Sequence, residues 1–107
     1  MSDAFKRIKG LVVSHDIRIS EHGYDELAND GLTAKEIVEG INSAVLIENY
    51  PKYPKGACVL VLQLDRNENP IHVVWGVPAG YNRPAVLITA YRPDPQRWNG
   101  TFTERTI

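Results

Sequence analysis

The spacing of apolar residues along the chain changes near residue 44. Before that point, apolar positions recur every three or four residues, which is typical of amphipathic helices. After it, they form short and almost continuous runs, which are typical of strands. The chain therefore divides into a helical first part and a β-rich second part.

Three helices are predicted in the first part. The first covers residues 3–13. The second follows Ser20, a favourable N-cap, and ends near Gly31, which can adopt the left-handed conformation of a helix stop. The predicted apolar face of this second helix comprises Tyr24, Leu27 and Ala28. The third helix begins at a capping-box pattern that runs from Thr33 to Glu36.

Four strands are predicted in the second part. They cover residues 44–50, 57–64, 70–77 and 85–91, and polar or proline-containing loops separate them. Because these loops are short, consecutive strands are expected to pair in antiparallel fashion. The expected architecture is one α+β domain over residues 1–107, with its core at about 17–98. Helices pack on one face of a four-stranded antiparallel meander.

The ends of this domain carry less regular sequence. Arg18 and Ile19 are predicted to form a short extended link. The pattern breaks after the last strand at Arg92-Pro93-Asp94-Pro95. We expect Trp98 to fold back onto the body of the protein and the tail after Asn99 to be frayed.

Composition narrows the class of protein. The chain has 107 residues, of which 43% are hydrophobic and 23% charged, as in an ordinary globular domain. The single cysteine, Cys58, lies in an apolar run, where a small core residue is expected. A lone thiol cannot form an internal disulfide, which favours a reducing compartment. No apolar stretch approaches the length of a membrane span. We therefore expect a cytoplasmic protein that makes no membrane contact.

Charge is unevenly distributed, although the net charge is only −1. Residues 19–50 contain seven acids and one base, whereas residues 81–107 contain four arginines, Asp94 and Glu104. A net charge near zero provides no general attraction to nucleic acid. The basic C-terminal part is compatible with a small anionic ligand or a local RNA contact, and equally with a solvated surface.

Two histidines are the first candidates for chemistry, because His15 is expected on the surface. His22 has Glu26 one helical turn further on, and this spacing favours an exposed ion pair. His72 alternates with Val74 on one face of the third predicted strand. It is either a core histidine with a hydrogen-bond partner or a group in a site, and the strand pattern alone leaves its face open.

A metal-independent ribonuclease requires a base, an acid and a cation near the scissile phosphate. His22 and His72 could exchange protons near neutral pH, while Tyr91 could act as an acid or an orienting hydroxyl. Arg92 could supply the cation, and Thr89 shares a strand face with Tyr91. The sequence contains no phosphate-binding loop, no Cys-x-x-Cys motif and no His-Glu-x-x-His motif. We therefore expect no metal ion and no cofactor.

Several segments, taken in order, resemble the bacterial domain-of-unknown-function 4258 family. They are residues 19–27, 31–37, 47–51, 70–75 and 87–98, so the resemblance spans about residues 17–98. The recurrent positions of the family fall here on His22, His72, Tyr91 and Trp98. The layout is also similar to that of RelE- and BrnT-type toxin ribonucleases and of the barnase-like fold. This resemblance implies RNA cleavage by a few side chains on the sheet, without metal.

The resulting hypothesis is a metal-independent endoribonuclease of toxin type, with RNA as its substrate and a cognate antitoxin as a partner. Its predicted catalytic residues are His22, His72, Tyr91 and Arg92, and its predicted substrate-binding residues are Thr89, Arg97 and Trp98. The alternative is a non-catalytic protein- or ligand-binding module, with an exposed patch around Tyr50, Tyr53 and Tyr81. A small hydrolase is a third possibility. The acidic helices would repel RNA unless they face away from it.

Overall fold

The structure, a computed structural model, describes residues 3–106 and has the predicted α+β class. Its helices are α1 (Asp3–Val13), α2 (Glu21–Asn29) and α3 (Ala34–Glu39), followed by a 3-10 turn at Gly40–Ser43. Its strands are β1 (Ile17–Ile19), β2 (Val45–Tyr50), β3 (Cys58–Leu64), β4 (Pro70–Gly76) and β5 (Ala85–Tyr91). Within residues 3–106, no helix has the length and apolar character needed to span a bilayer.

The five strands form one open sheet in the order β1-β5-β4-β3-β2. From β2 to β5, consecutive strands pair antiparallel, whereas β1 pairs parallel with β5. In that parallel pair Ile17 lies opposite Ala85 and Ile19 lies opposite Leu87. The prediction of four strands is therefore wrong. The segment predicted to be an extended link is a fifth strand, and its three residues are too few to show an alternating pattern.

One face of the sheet packs against the helices and forms the core. Ile71, Val73 and Trp75 of β4 are fully buried on this face. They share a cluster with Phe5, Ile8 and Val12 of α1, Leu27 of α2, Ile37 of α3, and Val59, Val61 and Leu87 of the neighbouring strands. Fully burying one such aliphatic side chain contributes about 1.5–3 kcal/mol.

The opposite face of the sheet, which we call the outer face, holds the residues that alternate with this core. It includes Leu62 of β3, His72 and Val74 of β4, and Thr89 and Tyr91 of β5, which lie opposite one another in the strand register. A β-bulge inserts Ile88 between Leu87 and Thr89. The bulge shifts the alternation, so that Tyr91 lies beside His72 while Leu87 still faces the helices.

The helix starts follow the predicted caps. The Ser20 hydroxyl accepts a hydrogen bond from the Gly23 amide at 2.9 Å and donates one to the Ile88 carbonyl at 2.9 Å. It thereby ties the start of α2 to β5. The Thr33 hydroxyl accepts from the Glu36 amide at 3.2 Å and donates to the Glu36 carboxylate at 3.1 Å. Thr33 is therefore the N-cap of α3, as the capping-box pattern predicts, and Glu36 reaches back to its hydroxyl.

The apolar face predicted for α2 is partly wrong. Tyr24 and Ala28 are exposed, and the helix instead buries Gly23 and Leu27. The backbone of β5 approaches so closely that a Cβ atom on Gly23 would lie 2.8 Å from the Leu87 carbonyl oxygen. The helix is therefore rotated so that a glycine, rather than a large side chain, faces the sheet.

The C-terminal segment, which we define as residues 94–106, is folded onto the outer face. Trp98 is buried, as predicted. The prediction of a frayed tail after Asn99 is wrong, because backbone hydrogen bonds of 2.8 Å join Asn99 to Glu104 and Thr106 to Arg97. The Asn99 side chain also accepts a hydrogen bond from the Thr103 amide at 3.0 Å. This segment covers one end of the outer face.

Candidate functional site

His72 lies near the middle of β4 and is completely buried. Its Nε2 atom lies 2.7 Å from the carbonyl oxygen of Phe102 in the C-terminal segment. Because a carbonyl oxygen can only accept, Nε2 carries the proton and Nδ1 carries a lone pair. Among residues 3–106, Nδ1 has no hydrogen-bond partner. The ring is thus held in one tautomer, with its basic nitrogen enclosed.

Two aromatic rings enclose this imidazole. The Trp98 ring meets it edge-on, with centroids 4.3 Å apart, and the Tyr91 ring does so at 5.5 Å. The Arg105 guanidinium lies 4.7 Å from the Trp98 ring centroid on a cation–π contact. Aromatic and cation–π contacts of this kind each contribute about 0.5–1.5 kcal/mol. They hold His72, Trp98 and Arg105 together.

Burial sets the protonation states of the two titratable groups in this cluster. Desolvation lowers the pKa of His72, and this effect exceeds the opposing effect of the Phe102 carbonyl. Desolvation raises the pKa of Tyr91. At neutral pH the imidazole is therefore uncharged and the phenol remains protonated. Tyr91 is suited to donate a proton rather than to accept one.

A cleft of about 260 Å³ lies next to this buried cluster, and we call it the arginine cleft. It is lined by Tyr91, Arg92, Asp94, Arg97, Trp98 and Arg105. Its lining thus contains three cations and one carboxylate. A cleft of this composition suits an anion, because guanidinium groups bind phosphate through paired N–H donors.

Carboxylates orient the three arginines. The Arg92 guanidinium lies 2.9 Å from the buried Asp65 carboxylate, and the Arg97 guanidinium lies 3.9 Å from Asp94. Hydrogen bonds from the Asn69 and Asn67 amides, together with Arg92, lower the pKa of Asp65 despite the opposing effect of burial. Asp65 therefore remains ionised and fixes the direction of Arg92.

Arg105 is oriented from the far edge of the sheet. Its guanidinium makes two hydrogen bonds, of 3.0 and 3.2 Å, to the Glu48 carboxylate of β2. The Tyr50 hydroxyl donates to the same carboxylate. The guanidinium and the hydroxyl lower the pKa of Glu48. This network holds the C-terminal segment over the Tyr91 and His72 rings.

The structure brings together some of the residues predicted for the site. His72, Tyr91 and Trp98 are in contact, and Arg92 and Arg97 line the same cleft as Tyr91. Sequence reasoning missed Phe102, Arg105 and Glu48. Phe102 is 30 positions from His72, and Arg105, which lies over the Trp98 ring, is held by Glu48 from 57 positions away. No local pattern indicated these contacts.

Two of the predicted site residues lie apart from the cleft. His22 is on α2, its side chain is 65% exposed, and its Nε2 lies 3.7 Å from Glu26. Thr89 is half-buried on the outer face, opposite Val74, and is not part of the cleft lining. Neither histidine of the predicted pair lines the arginine cleft. Within residues 3–106, no group of three His, Cys, Asp or Glu side chains is placed to hold a metal ion.

Comparison with protein families identifies the chain at the level of its family. A family model described as "Domain of unknown function (DUF4258)" matches residues 19–92. The chain belongs to this family. No curated protein and no solved structure matches it. The DUF4258 match runs from the end of β1 to Arg92, so it includes His72 and Tyr91 but not the C-terminal segment.

Proposed function

We propose that this DUF4258 protein is a metal-independent endoribonuclease of toxin type, which cleaves RNA in the arginine cleft. One observation carries the proposal: a protonated tyrosine, a carboxylate and three arginines line the same cleft. Arginine is well suited to the RNA backbone, because its planar guanidinium matches the phosphate oxygens. The layout of RelE-type and barnase-like enzymes, which the sequence led us to expect, belongs to the same class of enzyme, and this is an argument by analogy.

The proposed reaction is the transfer of a phosphodiester within RNA. The ribose 2′-oxygen attacks the adjacent phosphorus, so a 2′-O–P bond forms and the P–O5′ bond breaks. The 2′-hydroxyl proton passes to Asp94, whose carboxylate is half-exposed in the cleft. Tyr91 donates its proton to the departing 5′-oxygen. Arg92 and Arg105 stabilise the negative charge that develops on the phosphate, and Arg97 binds the substrate.

His72 has a positioning role in this proposal. It is buried beneath Tyr91 and Trp98, and its ring edges fix the orientation of both aromatic rings. His22 has no role in the reaction, because its nearest ionic partner is Glu26 and it does not line the cleft. The proposal therefore replaces the predicted histidine pair with Tyr91 and Asp94.

The test is an RNA cleavage assay with the purified full chain in the presence of EDTA. We expect products with 2′,3′-cyclic phosphate ends. Tyr91→Phe should lower the rate by roughly 10²-fold or more, as for the loss of a general acid. Arg97→Gln should raise KM more than it lowers kcat. Matched controls are Tyr81→Phe and Arg66→Gln, which replace exposed residues outside the cleft.

An antitoxin partner is part of the same proposal. A toxin needs a partner that blocks its cleft, and acidic side chains would complement Arg92, Arg97 and Arg105. The expected result is that such a partner protects RNA from cleavage and that Arg97→Gln weakens its binding. A partner that binds equally tightly when all three arginines are replaced would bind elsewhere.

A non-catalytic binding module remains the second candidate, because the exposed tyrosines that it requires are present. Tyr50, Tyr53 and Tyr81 have 42%, 52% and 71% of their surface exposed. This function predicts no RNA cleavage by the wild-type chain. It also predicts a partner whose binding is lost in Tyr53→Ser or Tyr81→Ser and retained in Tyr91→Phe.

A further inference from the structure

We propose that the outer face carries a second site, which binds a small organic anion with an apolar body. A pocket of about 380 Å³ lies between β1, the ends of β4 and β5, and the loop at residues 51–56; we call it the apolar pocket. Its volume is at the lower end of the range for small-molecule sites, about 300–1,000 Å³. Gly76, Val77, Val86 and Ile88 provide its apolar surface.

The apolar pocket is separate from the arginine cleft. In the strand register His72 lies opposite Tyr91, whereas Gly76 lies opposite Val86. Gly76 is four positions further along β4 than His72, which corresponds to roughly 13 Å along the sheet. The two sites share no lining residue. Ligand binding in the pocket can therefore be measured independently of any RNA cleavage.

A glycine creates the depression in the sheet. Arg18, Val86, Gly76 and Cys58 form a row across four strands, each opposite the next in register. Because Gly76 has no side chain, the row has a gap at its position, between Val86 and the buried Cys58. A Cβ atom on Gly76 would lie 2.8 Å from the Cδ1 atom of Ile88. The bulged Ile88 therefore occupies part of the space that a side chain would fill.

The wall formed by the 51–56 loop is held by the backbone. The Val77 amide donates to the Ala57 carbonyl, and the Ala79 amide donates to the Lys55 carbonyl, both at 3.0 Å. Gly56 has φ +131°, and a Cβ atom there would lie 1.9 Å from the Val77 carbonyl oxygen. Only glycine permits this close approach. The pocket is therefore formed before a ligand binds, which reduces the entropic cost of binding.

Charge at the rim indicates an anionic ligand. Arg18 and Lys55 are exposed and line the pocket, and no acidic residue does so. Among residues 3–106, neither cation forms an ion pair, whereas Arg92, Arg97 and Arg105 of the cleft all do. Two uncompensated cations beside an apolar floor complement a carboxylate attached to an aromatic or aliphatic body. Tyr53 also lines the pocket, and its aromatic ring can add apolar contact with such a body.

The test is an NMR titration of the full chain with 2-naphthoate and with its neutral counterpart, 2-naphthamide. We expect naphthoate to shift the signals of Gly76, Val77, Val86 and Ile88, and to bind at least fivefold more tightly than naphthamide. Arg18→Gln and Lys55→Gln should each weaken naphthoate binding by roughly threefold, as for the loss of one exposed ion pair. Neither variant should change naphthamide binding.

Lys52→Gln is the matched control, because Lys52 is exposed in the same loop but does not line the pocket. Ile88→Trp should fill the pocket from the solvent side and abolish binding of both probes. If that variant is unfolded, Val86→Phe tests the same point. The proposal is overturned if naphthoate does not bind or if the two probes bind equally well. It is also overturned if naphthoate shifts the NMR signals of the arginine-cleft residues instead of those of the apolar pocket.

Discussion

The two ends of the outer face differ in what covers them and in how their charges are paired. At the His72 end, the C-terminal segment closes over the sheet, and every arginine of the cleft has a carboxylate partner. At the Gly76 end, the described chain leaves the sheet open, and Arg18 and Lys55 have no such partner. The same two strands, β4 and β5, form the floor of both ends.

This difference shows how a covering segment allows a polar side chain to be buried on the face of a sheet. A buried imidazole is tolerated because Phe102 satisfies one of its nitrogens, since an unpaired buried polar group is costly. Without such a cover, apolar residues and a glycine form the surface, and the result is a pocket rather than a cluster. The three predictions that follow test this contrast, beginning with the largest effect.

His72→Ala should lower the free energy of unfolding by about 3 kcal/mol, because it leaves a cavity and an unsatisfied Phe102 carbonyl. Val74→Ala, two residues further along the same face, should cost only about 1 kcal/mol, because Val74 is half-buried. Urea denaturation measures both values. Equal losses would mean that the C-terminal segment adds nothing to the stability of the His72 end.

Stability should also decrease as the pH falls below about 6.5, the ordinary pKa of histidine. The folded state lowers the pKa of His72, so below this pH the unfolded chain binds a proton that the folded chain does not. The free energy of unfolding should then fall by up to about 1.4 kcal/mol per pH unit until the pH reaches the lowered pKa. Chemical denaturation between pH 8 and pH 5 measures this slope.

His72→Gln should remove most of the slope between pH 6.5 and pH 5.5, above the range in which carboxylates titrate, whereas His22→Gln should retain it. His22 is the matched control, because it is exposed on α2 and lies outside the cluster. A slope that survives in His72→Gln would assign the pH dependence to another group.

The smallest predicted effect concerns the anchor of the C-terminal segment. Arg105 and Glu48 are partly exposed, so a double-mutant cycle with Arg105→Gln and Glu48→Gln should give a coupling energy of about 0.5 kcal/mol. The coupling should weaken in high salt, because exposed charges are screened. A coupling near zero would mean that Trp98 and Phe102 alone hold the segment in place.

Most of the fold could be predicted from local patterns. The caps at Ser20 and Thr33 and the last four strands follow from turn residues and apolar runs that act over a few positions. β1 was missed because three residues carry no recognisable period. The exposed Tyr24 was assigned to the core because a helical wheel cannot show that the neighbouring strand requires a glycine.

The candidate site was predictable only in part, because some of its contacts join residues that are far apart in the sequence. The contact of His72 with Tyr91 follows from the pairing of two predicted strands, and Trp98 was expected to fold back. Phe102 and Arg105 belong to a segment with few apolar residues. Such a sequence by itself predicts a frayed tail. Its order depends on partners far away in the sequence, His72 and Glu48, and these appear only in three dimensions.

The measurement that tests the central claim most directly uses one RNA oligonucleotide in EDTA, with and without a single 2′-deoxy substitution at its main cleavage site. The account predicts that the purified chain cleaves the all-ribose strand to a 2′,3′-cyclic phosphate. Cleavage at the substituted position should be lost, because the attacking 2′-oxygen is absent, and Tyr91→Phe should slow cleavage of the unsubstituted strand. Cleavage that continues at the 2′-deoxy position, or no cleavage of either strand, would contradict the account.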